Sequence, residues 1–150
     1  MRLIYSLAWW LASPLVLLRL WVRGRKEPGY RRHVAERLGC YANTSITRDA
    51  KVLWVHAVSV GETRAAQPLV EALLADFPEH VVLLTHMTPT GRATGRELFA
   101  TQLRVVQAYL PYDTNFMTSR FLKRFHPGLC VLMETEVWPN LMQQCRRHGV

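Results

Sequence analysis

Two acidic residues stand out because each sits at an abrupt polar turn after a short apolar run: Glu62 in Ser59-Val60-Gly61-Glu62, and Glu134 in Glu134-Thr135-Glu136-Val137-Trp138-Pro139-Asn140. An ionised carboxylate in such a turn can take a proton from an alcohol, which is general-base work. Glu62 has a second reading, as an acid that complements the dipole of the helix it opens. Gly61 suits a sharp turn or the close approach of a ligand. Glu134 and Glu136 alternate along an extended segment, so one faces a cleft and the other faces away. Trp138 beside them fits a sugar ring or an apolar ligand face, or else staples the start of a helix. A third turn, Thr88-Pro89-Thr90-Gly91, offers two hydroxyls ahead of a helix whose first N–H groups can hold a phosphate or carboxylate. Arg92 and Arg96 add charge there, and the alternative is an ordinary N-cap by Thr90. The glycine patterns of dinucleotide and P-loop sites do not occur. His56, His86 and His126 lack metal-ligand spacing, so no metal and no resident cofactor is expected. His56 reads as a satisfied strand residue and His126 as a cation closing a helix.

These residues need elements to hold them. Apolar runs predict strands over 52–58, 81–85, 104–110 and 129–133, and helical spacing predicts helices over 62–77, 91–100, 114–125 and 138–147. Pro68 disturbs the opening turns of the first helix, and Gly149 suits the end of the last. Strands separated by helices imply a parallel sheet. All strand C-termini then lie along one edge, where open α/β sheets bind ligands. That edge collects the turns at 59–62, 88–91 and 134–140, with Pro111-Tyr112-Asp113 after the third strand. Four strands without a return make a small, open-edged sheet, and the chain reads as a fragment whose partner domain lies elsewhere.

The chain has 150 residues and a net charge of +8, of which +5 falls between Arg19 and Arg37. The remainder is close to balanced, which argues against nucleic-acid binding. Three scattered cysteines, Cys40, Cys130 and Cys145, suggest neither a zinc ribbon nor a disulfide framework and fit a reducing compartment. Asn43-Thr44-Ser45 matches a glycosylation sequon and reads as a surface turn. Residues 3–18 carry no charge, and 20–22 extend the run past Arg19. This predicts an N-terminal membrane anchor over 1–22, spanning the bilayer or lying in its interface. Arg23, Arg25, Lys26, Arg31 and Arg32 lie directly downstream, so the rest of the chain is expected on the cytoplasmic face of the membrane, against anionic lipids. A basic connector (23–50) then leads to the α/β domain (51–150).

Taken together, these motifs resemble one family, the 3-deoxy-D-manno-octulosonic acid (Kdo) transferases of Gram-negative bacteria. The resemblance rests on Trp21-Val22-Arg23-Gly24-Arg25-Lys26, on His56-Ala57-Val58-Ser59-Val60-Gly61-Glu62-Thr63, on Met87-Thr88-Pro89-Thr90-Gly91, on Tyr109-Leu110-Pro111-Tyr112-Asp113 and on Met133-Glu134-Thr135-Glu136-Val137-Trp138-Pro139-Asn140. It implies the N-terminal, Rossmann-like, acceptor-side half of a GT-B glycosyltransferase. Such an enzyme transfers Kdo from CMP-Kdo to the lipid A precursor, with inversion and without a metal. It implies Glu62 as the general base and Glu134 as a stabiliser of the transition state. Ser59, Gly61, Thr88, Pro89, Thr90, Gly91, Glu136 and Trp138 are then expected around the substrates. The nucleotide site is expected in a second domain, so these 150 residues alone are expected to be inactive. The rivals are a membrane-tethered hydrolase and a membrane-docked binding module without catalysis.

Overall fold

The computed structural model describes residues 2–42, 44–134 and 138–150; Asn43 of the sequon and Glu136 therefore lie outside the described residues. Four strands, β1 (Lys51–His56), β2 (His80–His86), β3 (Val105–Tyr109) and β4 (Pro127–Leu132), form one sheet in the order β3-β2-β1-β4, all neighbours parallel. Helices α3 (Val60–Ala65), α4 (Gln67–Asp76) and α5 (Pro89–Leu98) connect β1 to β2 and β2 to β3; α6 (Asn115–Phe125) leads to β4, and α7 (Pro139–His148) follows it. Ahead of them lie α1 (Arg2–Lys26), a 3-10 turn (Pro28–Arg31) and the short α2 (Val34–Arg37).

Alternation along β1 makes the three layers. Val52 and Trp54 join Leu83, Phe121, Phe125 and Leu141 on the α6–α7 face. Val55 and Ala57 join Val70, Leu74, Leu84 and Phe99 on the α3–α5 face. Burial of each large apolar side chain contributes roughly 1.5–3 kcal/mol. Trp54 is fully buried, and its indole N–H donates to Thr85 Oγ1 at 2.7 Å, so the core's largest side chain leaves no orphan donor.

Three expectations change. The predicted 62–77 helix is two helices: α3 ends at Ala65, and Pro68, which cannot donate an N–H, sits in the first turn of α4. The segment read as a basic connector sends Tyr41 and Ile46 into the core, and Tyr41 Oη donates to Tyr109 O on the edge strand β3. The spanning anchor is not supported, since no helix among the described residues is long and apolar enough to cross a membrane. Tyr5, Ser6, Trp9, Trp10, Ser13 and Pro14 dilute the apolar run, and Arg19 interrupts it. Moreover α1 runs on to Lys26 and leans on the domain, with the Trp9 ring 5.6 Å from that of Tyr112.

Two of the turns are locked together by Gly91. A Cβ there would stand 3.0 Å from both Val58 O and Thr88 Oγ1 and 3.2 Å from Ser59 C. Backbone cannot yield as a flexible side chain can. Gly91→Ala should therefore destabilise the domain by about 1–3 kcal/mol, read from the urea midpoint; an unchanged midpoint would show that the turns move apart freely.

Candidate active site at the strand ends

In open parallel sheets the ligand crevice forms where the strand order reverses. In β3-β2-β1-β4 that point lies between β1 and β4, whose C-termini lead directly into Ser59–Glu62 and Glu134. The structure brings the two acids together: Ser59, Gly61, Glu62, Ala65, Met133 and Glu134 line one cavity of about 270 Å³. Ser59 is the N-cap of α3 but does not cap it with its own side chain. Instead its Oγ donates to Glu62 Oε1 at 2.7 Å, and Val58 N donates to Glu62 Oε2 at 2.8 Å. Glu62 thus performs a capping task, in line with the dipole reading. Each of its oxygens retains a second acceptor position, and the carboxylate is only half-buried. These bonds do not conflict with the base reading, since they fix the carboxylate in one orientation. Gly61 adopts no positive φ, and nothing stands within 4 Å of a Cβ placed on it, so sharp turning does not explain it. Its flank is open toward the cavity.

The Thr88–Gly91 turn lies one strand away. Thr88, not Thr90, caps α5: its Oγ1 accepts from Gly91 N at 3.1 Å and donates to Val58 O at 3.0 Å. Pro89 and Thr90 line a different cavity of about 310 Å³ together with Arg32, Arg92 and Arg96. Burial and the Arg92 guanidinium push the His33 imidazole below its usual pKa there, against the pull of Glu36. Trp138 is half-buried against the core and meets the His56 ring edge-on at 6.4 Å, so the staple reading describes its contacts. His126 closes α6 in the left-handed region, at φ 43°. No three His, Cys, Asp or Glu side chains gather as a metal site among the described residues.

Arg23, Arg25, Lys26, Arg31 and Arg32 are all exposed. Arg31 folds back to donate to Trp21 O at 2.9 Å, at the negative end of the α1 dipole. Arg37 does not belong with them. It is buried, lies 3.8 Å over the Tyr109 ring and donates to Met87 O at 3.0 Å, just before the Thr88 turn. Sequence reasoning counted it as one charge of a basic run; its place two residues before Gly39, which adopts φ 77°, was the available signal.

His86, at the end of β2, is fully buried, and burial holds its pKa down at about 4. As a neutral ring it donates from Nδ1 to Ala57 O at 2.9 Å, leaving Nε2 to accept. The Gln107 amide supplies that donor at 3.0 Å when its nitrogen faces the ring, an orientation that also satisfies Arg92 O and Arg96 N.

The family profile described as 3-Deoxy-D-manno-octulosonic-acid transferase (kdotransferase) matches residues 32–150. The chain belongs to the Kdo transferase family. It is 46% identical to a 3-deoxy-D-manno-octulosonic acid transferase of Bordetella pertussis over 154 residues, covering 99% of this chain and 35% of that protein. For the protein of the same description from Haemophilus influenzae the identity is 39% over 143 residues, covering 95% and 33%. For a probable mitochondrial one from Arabidopsis thaliana it is 32% over 133 residues, covering 87% and 28%. The chain thus spans about a third of the length of the curated relatives it matches.

The buried imidazole gives a pH test. In the unfolded chain it takes up a proton near 6.5, and in the fold only near 4. Its contribution to stability is therefore complete above 6.5 and falls as the pH drops toward 4, by up to about 3 kcal/mol. The His86 resonances in an NMR titration should stay those of a neutral ring down to about pH 5; titration near 6.5 would refute its sealed, neutral state.

Proposed function

We propose that this chain is the acceptor-side half of a membrane-associated Kdo transferase of GT-B architecture, acting in lipopolysaccharide core biosynthesis. The observation that carries the reading is the convergence of Glu62 and Glu134 on one cavity at the strand-order reversal, in a chain of this family. Glu62 takes the proton from the attacking hydroxyl of the lipid A precursor. The hydroxyl oxygen then bonds to the anomeric carbon of Kdo while the bond from that carbon to the CMP phosphate oxygen breaks, so CMP leaves and the configuration inverts. Glu134 lies where positive charge develops on the sugar and stabilises it. The transfer needs no metal, and Glu136 joins the substrate contacts.

The arginine-lined cavity beside Thr88, Pro89 and Thr90 suits the anionic groups of either substrate. The donor nucleotide is held by a second domain, so these 150 residues alone do not turn over. In the full-length protein Glu62→Gln keeps the side chain's shape and removes its basicity. The expected result is a kcat lower by ~10²–10⁴ with folding intact, measured with CMP-Kdo and lipid A precursor; near-normal turnover would sink the assignment.

Membrane association belongs to the outer face of α1, lying in the bilayer interface. Leu7, Leu11, Leu15 and Leu18 recur along that face at 60%, 71%, 68% and 56% exposure, ahead of the cations Arg19, Arg23 and Lys26. Deletion of 1–22 should release the protein from anionic vesicles, leaving a weak, salt-sensitive residue of binding through the remaining cations. Sedimentation with vesicles at high salt that is unchanged by the deletion would place the attachment elsewhere.

A further inference from the structure

The acidic turn between β4 and α7 is fixed at both ends by groups that are not its own. At its start Met133 N donates to His56 O at 3.1 Å. At its end α7 lacks a local cap: Trp138 occupies the N-cap position without a capping side chain, and Pro139 has no N–H to offer. The open N–H groups of Asn140 and Leu141 donate instead to Asp113, at 3.1 Å to Oδ2 and 2.7 Å to Oδ1. Asn140 Nδ2 returns a bond to Asp113 O at 2.7 Å. Asp113 is fully buried and stands 25 or more residues upstream, in the turn between β3 and α6.

We infer that Asp113 is a positioning residue for the transfer, holding the turn that presents Glu134 to Glu62. The inference rests on the role proposed above for Glu134. A local Ser or Asp at position 138 would satisfy the same N–H groups and would stabilise α7 equally well. It would not tie the helix start to the rest of the sheet edge. A carboxylate reaching in from the β3–α6 turn does so, and it leaves position 138 to an aromatic side chain. The negative charge lies at the positive end of the helix, where it is favourable. The tie extends to α1, since Trp9 packs on Tyr112 and the Tyr5 side chain interacts electrostatically with the Asp113 carboxylate. The first helix thereby backs the catalytic turn as well as facing outward.

Two variants of the full-length protein test this, Asp113→Asn and the milder Tyr5→Phe, which removes one hydroxyl from a half-buried ring. Amide exchange over 140–142 is read without substrate, with 81–86 of the central strand as the internal control. Asp113→Asn should speed exchange at 140–142 alone and lower kcat roughly 10–100-fold, the loss that a misplacement of about 1 Å causes. The donor KM should stay within about 3-fold, because the nucleotide is bound elsewhere. Tyr5→Phe should do the same to a smaller degree. Unchanged exchange at 140–142, or faster exchange with kcat retained, would overturn the positioning role. Absence of transfer by the wild-type protein would instead overturn the proposed function, and the exchange arm separates the two failures.

Discussion

The peptide of Val58 holds the two principal turns of the crevice together. Its N–H donates to the Glu62 carboxylate, and its carbonyl accepts from Thr88 N at 3.2 Å and Thr88 Oγ1 at 3.0 Å. Two residues beyond the end of β1, the chain therefore fixes an acid on one side and caps a helix through a neighbouring turn on the other. Gly91 follows from this arrangement, because any side chain would push the Val58 carbonyl out of reach of Thr88. The separate sequence motifs around residues 59–62 and 88–91 are, physically, one hydrogen-bonded unit. A change in either turn is felt in the other.

The edge of the sheet shows a second economy. A bare parallel edge would present a row of unpaired backbone groups to any passing strand. On β3 these groups are occupied: Tyr109 N donates to Glu36 Oε2 at 2.7 Å, Tyr109 O accepts from Tyr41, and Gln107 O accepts from Arg92 at 3.3 Å. Glu36 also pairs with Arg92 at 2.6 Å, both partners being largely buried, so the connector is pinned to α5 as well as to the strand. What reads in sequence as a basic linker serves as the sheet's edge cover. The same segment carries Arg37 to Met87, so it also supports the Thr88 turn from beneath.

The parallel strands were legible because each apolar run ends in a polar signature and is followed by helical spacing; all four appear, with boundaries shifted by one or two residues. The left-handed Gly149 at the end of α7 was legible for the same local reason. The pairing of Glu62 with Glu134 was legible in outline, because a parallel sheet forces its C-terminal turns onto one edge. The strand order was not, and it decides that these two turns are neighbours while Thr88 stands one strand further off. Asp113 was visible within Pro-Tyr-Asp but given no task, since an N-cap supplied from 27 residues upstream leaves no local pattern. Tyr41, Ile46 and Arg37 were missed because their burial depends on which strand forms the edge. Of the two readings of the anchor, the spanning one fails because length alone favoured it, whereas tyrosine, serine, proline and four tryptophan or arginine positions lower the apolar character of the run.

The charge layout of the strand ends bears on which substrates such a crevice tolerates. Among the described residues, the cavity at the strand-order reversal is lined by two carboxylates and no cation, whereas the one beside α5 is lined by Arg32, Arg92 and Arg96 with a single carboxylate, Glu27. An anionic group would be repelled from the first and drawn to the second. A hydroxyl carries no charge until its proton leaves, so it can enter the acidic cavity at little electrostatic cost and gains a partner there as the proton moves. The surface therefore favours ligands that bear their negative charges at a distance from a neutral hydroxyl, with the charges on the arginine side and the hydroxyl on the carboxylate side. Selection by charge and orientation of the carboxylate are thus separate tasks in this crevice: the arginines beside α5 carry the first, and the hydrogen bonds from Val58 and Ser59 to Glu62 carry the second.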